Sequence, residues 1–219
     1  MNIHGIITGS EAFKQDKYKK YEHKFISLAQ QGQHPKILFI GCCDSRVVPN
    51  LITNTGPGDL FIMRNIGNFV PPYKPDEDFH ATAAAIEYAV SVLEVEDIIV
   101  CGHSQCGAIA SLFKSEKLEN PSLIHVKKWL EIGAEAKNFV TKHIPEDFSK
   151  EDKLDLTEKV SAILQLDNLL TYPAVKERVE EGKLFLNAWH YDIASCEISY
   201  YDSHFQEYLP LSEAAKKEE

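Results

Sequence analysis

The fold is decided by KILFIGCCDSRVVP, residues 36–49, and by DIIVCGHSQCG, residues 97–107. In each stretch an apolar run leads into cysteine, histidine, aspartate or arginine. Short apolar runs bounded by turn residues predict buried β-strands, and the polar residues that follow predict a loop at the end of each strand. We therefore expect two strands that deliver reactive side chains to one end of a sheet.

The segments between these strands alternate in type. DLFIMRN, residues 59–65, predicts another strand, and the alanine-rich residues 80–93 predict a helix, while prolines exclude a helix at 70–75. This alternation predicts an α/β fold, in which helices flank a mainly parallel central β-sheet and ligands collect at the carboxyl ends of its strands.

The ends of the chain predict additions to this core. Ser10 is a candidate cap of a helix that ends near Gly32, and residues 1–35 are expected to form an N-terminal helical arm. Residues 36–211 are expected to form one α/β domain, and 212–219 a polar tail. The remaining predicted elements are scaffold helices at 123–140, 154–170 and 173–182, and a C-terminal antiparallel strand pair or hairpin at 184–193 and 196–201.

Composition narrows the function classes. The 219 residues carry a net charge of −10 without a basic block, which disfavours nucleic acid as a partner. The absence of an apolar run of about 18 residues, and of a cationic segment followed by an apolar one near residue 1, predicts a cytoplasmic protein that does not bind membranes. The five cysteines favour metal binding over disulfides.

Cys42, His103 and Cys106 match the three protein ligands of a catalytic zinc site, which leaves a fourth position to water or substrate. His103 and Cys106 are close enough in sequence to face one ion, and neighbouring parallel strands would bring Cys42 to them. Two alternatives remain open on this pattern alone. The cysteines could be small buried hydrophobic residues, or Cys43 or Cys101 could close the site as a fourth ligand.

Asp44 and Arg46 favour a functional site. A carboxylate two residues from a metal ligand could bind the metal itself, or it could accept the proton of a metal-bound water while it pairs with the guanidinium. The alternative is an ordinary surface ion pair. The position of the pair, between an apolar strand and a proline, favours the functional interpretation.

The two motifs together, C-x-D-S-R at 42–46 and H-x-x-C at 103–106, resemble those of the β-class carbonic anhydrases. The resemblance extends from about residue 33 to 192 through PGDLF, RNIGN, VPP, AAIEYAV, LLTYP and WHYD. It implies zinc-dependent reversible hydration of carbon dioxide to bicarbonate and a proton, by attack of zinc-bound hydroxide. Cys42, His103 and Cys106 would be the zinc ligands, and Asp44 and Arg46 the dyad that orients the water and withdraws its proton.

The same resemblance, to members whose fourth zinc position is open, implies a substrate site. Gln33 would reach the substrate across a dimer interface, and Phe61, Ile66 and Tyr88 would form the wall of the carbon dioxide pocket, with Gly107 beside the second motif. It further implies a homodimer formed through the N-terminal arm and the sheet, or a homotetramer.

The chain departs from the family pattern at two positions. Ile66 stands where valine is frequent, so a slightly narrower pocket is expected. Phe39 stands where members with a non-catalytic bicarbonate site carry tryptophan. Arg64 and Tyr191 match the rest of that bicarbonate triad, but without the indole we predict no such site.

Three other functions remain as alternatives. A narrow tunnel on the same fold would suit carbon disulfide or carbonyl sulfide, and a non-catalytic zinc sensor would keep Asp44 on the metal. A thiol redox protein is disfavoured because the sequence has no C-x-x-C pair. The sequence assigns neither the residue that carries the proton to solvent nor the physiological role.

Overall fold

The computed structural model describes residues 2–76, 78–114, 120–145 and 147–214. Its centre is a sheet in the order β2-β1-β3-β4-β5-β6. The strands are β1 (Ile37–Cys42), β2 (Leu60–Asn65), β3 (Asp97–His103), β4 (Phe185–Tyr191), β5 (Ile198–Asp202) and β6 (Glu207–Pro210). The first four run parallel to one another, and β5 and β6 are added antiparallel. The predicted α/β class, with a C-terminal antiparallel addition, is confirmed.

Helices flank the sheet within these ranges. They are α1 (Ile3–Gln15), α2 (Lys17–Gln31), α3 (Pro49–Ile52), α4 (Ala81–Glu87), α5 (Gly107–Leu112), α6 (Ile124–Leu130), α7 (Ala134–His143), α8 (Lys150–Leu169), α9 (Pro173–Glu180) and α10 (Leu211–Ala214). A π-helical turn, Tyr88–Val92, extends α4. Nowhere in the described ranges is a helix both long and apolar enough to cross a membrane.

The central strands β1 and β3 are buried on both faces, which explains their near-continuous apolar sequences. Leu38 and Ile40 of β1 point to one face and pack with residues of α4, α8 and α9, whereas Phe39 packs on the other face with Ile99 and Tyr191. Strands covered on both sides lose the polar alternation of a half-exposed strand. Residues at the carboxyl ends of β1 and β3 are therefore held by a rigid core.

The N-terminal arm is two helices, not one. The prediction that Ser10 caps a helix is wrong, because Ser10 lies inside α1, whose cap is Asn2. None of the residues of α1 is buried in the single chain, and Ile3, Ile6 and Ile7 are more than half exposed. The second helix, α2, attaches to the body through Leu28, which lies against Gly58, and through an ion pair of Lys24 with Asp59.

The predicted C-terminal helices and strands lie where expected, but the structure adds a helix interruption and one more strand. The helix predicted at 123–140 is interrupted by a 3-10 turn, Glu131–Gly133, where the chain passes close to Phe69. A Cβ atom on Gly133 would lie 2.5 Å from the Phe69 ring. The predicted hairpin is β4 and β5, and the short β6 was missed. Of the predicted tail, residues 215–219 lie outside the described residues.

The most deeply buried face of α8 is largely polar. It consists of Thr157, Glu158, Ser161, Ala162, Gln165 and Leu169, while the leucine and isoleucine positions between them are only partly buried. Its apolar pattern therefore does not mark the face that lies against β3 and β4.

Candidate metal centre

The parallel pairing of β1 with β3 brings the two sequence motifs together. Cys42 ends β1, His103 ends β3, and Cys106 follows directly before α5. Their possible ligand atoms all lie within 4.8 Å of one another, and all three residues are 5% exposed or less. Side chains 61 residues apart in the chain thus form one buried cluster, as the sequence predicts.

His103 is oriented as a metal ligand. Its Nδ1 lies 2.9 Å from the Ser104 carbonyl oxygen, so Nδ1 carries the proton and donates it there. The lone pair is then on Nε2, which is buried and has no hydrogen-bond partner. A buried nitrogen acceptor left without a donor is costly, unless a ligand such as a metal ion binds it.

The two thiols of the cluster favour different protonation states. The neighbouring Cys106 thiol, and to a lesser extent the His103 ring, lower the pKa of the Cys42 thiol to about 4 although burial opposes the charge. The proximity of Cys42, together with burial, raises the pKa of Cys106. Burial works against a charge on His103, but contacts with Cys42 outweigh it and raise the His103 pKa. A metal ion bound here would displace the protons of these groups, because thiolates and a neutral imidazole are the forms that bind metal.

This donor set fits zinc. Two sulfur atoms and one imidazole nitrogen are ligands that zinc prefers, and three protein donors match an open site of four positions. Asp44 is not among the clustered donors.

Asp44 is instead bound by Arg46 through both carboxyl oxygens. Arg46 Nε donates to Oδ1 over 2.9 Å and Nη2 to Oδ2 over 2.8 Å, and the backbone N–H of Arg46 also donates to Oδ1. These side-chain hydrogen bonds hold the pKa of Asp44 well below its usual range. The loop after β1 therefore carries a fixed, ionised carboxylate beside the cluster.

Two further residues hold the reactive loops. Arg64 donates to the carbonyl oxygens of Cys42 and Asp44, over 2.9 and 2.7 Å. Arg46 also donates to the side-chain and backbone oxygens of Gln105, both over 3.2 Å. No pattern in the sequence pointed to Gln105. Arg64 matches a family position, but the resemblance links that position only to a second bicarbonate site.

The residues of the supposed bicarbonate triad have other contacts here. Phe39 is fully buried with Val47, Ile99 and Cys101, and the Tyr191 hydroxyl donates to the Cys196 sulfur over 3.7 Å. The absence of a second bicarbonate site stays a prediction.

The predicted substrate residues divide into two groups. Gly107 directly follows Cys106 in the chain. Ile66 adjoins the cluster through its two neighbours, because Asn65 pairs with Cys42 and the N–H of Gly67 donates to the Cys42 sulfur.

The second group lies elsewhere in the single chain. Phe61 pairs with Leu38, four residues before Cys42, which is about 13 Å along the strand. The ring of Tyr88 packs against the ring of Phe61, with 5.9 Å between the ring centroids. Gln33 precedes β1, whose six residues span about 17 Å. One chain therefore does not bring Gln33, Phe61 or Tyr88 to its own cluster.

Comparisons with known proteins agree with this geometry. A family model described as carbonic anhydrase matches residues 37–198. A carbonic anhydrase of Pseudomonas aeruginosa is 42% identical over 208 residues, which cover 95% of this chain and 91% of that protein. The solved β-carbonic anhydrase CcaA superposes with a TM-score of 0.88 at 38% identity, and the match covers 95% of this chain and 91% of that one.

A third comparison concerns assembly. One of two β-carbonic anhydrases of Sordaria macrospora, described as tetrameric, superposes with a TM-score of 0.79 at 28% identity, covering 90% of this chain and 95% of its own. The sequence motifs, the buried cluster and these likenesses agree. The chain belongs to the β-carbonic anhydrase family.

Proposed function

We propose that this chain catalyses the reversible hydration of carbon dioxide to bicarbonate and a proton, with zinc as its cofactor. The observation that carries the proposal is a cluster of three buried donors, Cys42, His103 and Cys106, next to a carboxylate that Arg46 holds by both oxygens. The family model and the relatives named carbonic anhydrase support the same reaction.

Cys42, His103 and Cys106 would hold the zinc ion. When bound, zinc supplies a Lewis acid that makes a water molecule acidic enough to lose its proton near neutral pH. The two cysteines bind as thiolates and bring two negative charges, which weaken this acidity relative to an all-histidine site. We therefore expect activity to rise with pH.

Asp44 would orient the attacking water, not store its proton. Because Arg46 holds the pKa of Asp44 far below neutrality, the carboxylate is a weak base but a constant hydrogen-bond acceptor. An acceptor in a fixed position turns the water so that a lone pair faces the carbon atom of the substrate. Arg46, anchored to Gln105, keeps the acceptor in place.

We further propose that the active unit is a homodimer in which each chain completes the other's substrate pocket. The strand register separates Gln33, Phe61 and Tyr88 from the cluster of their own chain. The exposed apolar residues of α1 would be buried by a second copy, and residues 1–35 would form that contact. Pairing of such dimers would give a tetramer, as described for the Sordaria macrospora proteins.

The alternatives are not favoured. A sensor that keeps Asp44 on the metal agrees less well with the structure, because Asp44 is held by Arg46 and is not among the clustered donors. Hydrolysis of carbon disulfide or carbonyl sulfide would use the same cluster, and turnover of all three substrates compares the two activities directly. The cytoplasmic location stays a prediction that cell fractionation would test.

Stopped-flow hydration of carbon dioxide tests the proposal. The purified protein should bind about one zinc per chain, and its hydration rate should vanish after chelation and return with zinc. A zinc-loaded protein that does not accelerate hydration at any pH between 6 and 9 would refute the enzyme assignment. Cobalt in place of zinc would report, by its absorption spectrum, whether four protein ligands or three surround the metal.

A further inference from the structure

A buried carboxyl group lies behind the metal cluster. Glu158 of α8 is 3% exposed, and its Oε1 accepts the backbone N–H of Cys106 over 2.8 Å. Its other oxygen, Oε2, lies 3.4 Å from Nε2 of His190, which is 4% exposed on β4. The proposed dyad and ligands do not include either residue.

Glu158 reaches this position because α8 approaches β3 at a glycine. A Cβ atom on Gly102 would lie 3.2 Å from the Glu158 carbonyl oxygen and 3.7 Å from the His190 ring. A larger residue at this position would push α8 away from the end of β3. The absence of a side chain at Gly102 therefore allows the carboxyl group to contact the loop that carries Cys106.

The contact acts on the same peptide group that Arg46 holds. Arg46 Nη2 donates to the carbonyl oxygen of Gln105, and Glu158 accepts the N–H of Cys106. These two atoms belong to one peptide bond, which is trans, so they point in opposite directions. The Gln105–Cys106 peptide is thus fixed at its carbonyl oxygen by Arg46 and at its N–H by Glu158.

This peptide needs such support. Gln105 has a φ of +59°, a left-handed conformation that a residue with a side chain rarely adopts. Rotation of the peptide would release Gln105 from Arg46 and would redirect Cys106, which is the next residue. Strained backbone persists at a functional site only where the surroundings fix it.

A second metal site at this position is less consistent with the contacts. Possible ligand atoms of Asp155, Glu158 and His190 lie within 4.8 Å of one another. However, Lys159 already pairs with Asp155 over 2.8 Å, and Glu158 is bonded to Cys106 and His190. These groups satisfy one another.

We propose that Glu158, supported by His190, is a positioning residue that fixes the Gln105–Cys106 peptide, and that it thereby sets both the direction of the Cys106 thiolate and the anchor of Arg46. The proposal rests on the proposed zinc function. Glu158 touches neither substrate nor metal and acts through the backbone N–H that it accepts.

Zinc retention and the cobalt spectrum test this role. Glu158→Leu removes the acceptor. Zinc affinity should fall 10- to 100-fold, the usual effect of losing a residue that supports a metal ligand, and we expect the loss as faster dissociation of zinc. The cobalt-substituted variant should also show altered thiolate-to-metal absorption. Glu158→Gln keeps an oxygen that can accept the Cys106 N–H and should retain the rate and the spectrum of the unmodified protein.

Gln165→Leu is the matched control on the same helix. Gln165 is equally buried, and its Oε1 accepts a backbone N–H, that of Val70, over 2.7 Å in a different loop. This variant should unfold at a lower temperature but should keep its zinc dissociation rate and cobalt spectrum. If Glu158→Leu fails to fold, Glu158→Asp, which withdraws the carboxyl group from the peptide, is compared with Glu158→Gln by the same two measurements.

The outcomes separate the two proposals. Failure of the unmodified protein to bind zinc would overturn the proposed function. Zinc binding by the unmodified protein, with an equal dissociation rate in Glu158→Leu, would overturn only the role of Glu158. Equal losses of zinc in Glu158→Leu and Gln165→Leu would also overturn the role of Glu158, because they would indicate general destabilisation. Equal losses of zinc in Glu158→Gln and Glu158→Leu would overturn it as well.

Discussion

Replacement of Asp44 by asparagine separates its role at the water from a role as metal ligand. Arg46 binds the two carboxyl oxygens over 2.9 and 2.8 Å, so asparagine would present an amide N–H₂ to one of the guanidinium donors and lose that bond. Zinc should remain, because Asp44 is not among the clustered donors. Carbon dioxide hydration should fall, since the oriented acceptor is lost.

The expected loss is that of one fixed hydrogen-bonding group at a reaction centre. Such groups contribute roughly 10²- to 10³-fold in rate, or about 2.7–4 kcal/mol. Because the pKa of Asp44 is held far below neutrality, the group is ionised throughout the assay range. The loss should therefore be about equal at pH 7 and pH 9.

The assay is stopped-flow hydration together with zinc content. Asp59→Asn is the matched control, because Asp59 also pairs with a cation, Lys24, and its pKa is lowered by that contact. Asp59 lies at the far end of the strands from Cys42, since its neighbour Leu60 pairs with Ile37. Near-normal hydration by zinc-loaded Asp44→Asn would refute the orienting role, and loss of zinc from that variant would show that Asp44 holds the metal.

Four further measurements address ligands, pH, assembly and packing. Cys42→Ser should lose zinc and hydration together, as metal analysis would show; zinc retained at full occupancy would contradict its role as a ligand. Zinc affinity, measured by competition with a chelator, should rise with pH, because the pKa values of His103 and Cys106 are both raised and their protons compete with the metal. Constant affinity between pH 5.5 and 8 would argue against this cluster as the zinc site. Mixed dimers of Cys42→Ser and Gln33→Ala chains should be more active than either parent, because the intact cluster then receives Gln33 from its partner; no recovery would place Gln33 outside the pocket. Gly133→Ala should lower stability by about 1–3 kcal/mol in thermal or denaturant unfolding, because the added methyl group meets the Phe69 ring, and an unchanged midpoint would show that the ring can move.

The central site could be predicted because it depends on local rules. An apolar run predicts a strand, parallel neighbours end at one edge, and the side chains that follow must meet there. Spacing therefore made Cys42, His103 and Cys106 candidate ligands, although it left Cys43 and Cys101 open, and the pairing of β1 with β3 brings the three candidates together. The two-helix arm was not predicted, since Ser10 is acceptable both as a cap and inside a helix, and the flanking chain did not distinguish these positions.

The support of the site could not be predicted in the same way. Glu158 contacts a loop 52 residues earlier, and a glutamate among the lysines and leucines of a long helix has the appearance of an ordinary exposed charge. Amphipathic periodicity assigns the apolar side to the core. In α8, however, the most buried side carries Glu158, Ser161 and Gln165, whereas leucines such as Leu164 and Leu166 are only partly buried.

The polar face of α8 has a physical explanation in the loops that it contacts. A loop that ends a parallel strand leaves backbone N–H groups without partners, and leaving such a group buried and unpaired costs about 1–3 kcal/mol. Glu158 satisfies Cys106 and Gln165 satisfies Val70, so one helix supplies acceptors to two loops. A leucine face would bury more apolar area but would leave both N–H groups unpaired. The buried polar side of this helix is therefore a requirement of the loops that it supports, and the conformation of the metal-binding loop depends on a helix that contributes no ligand to the metal.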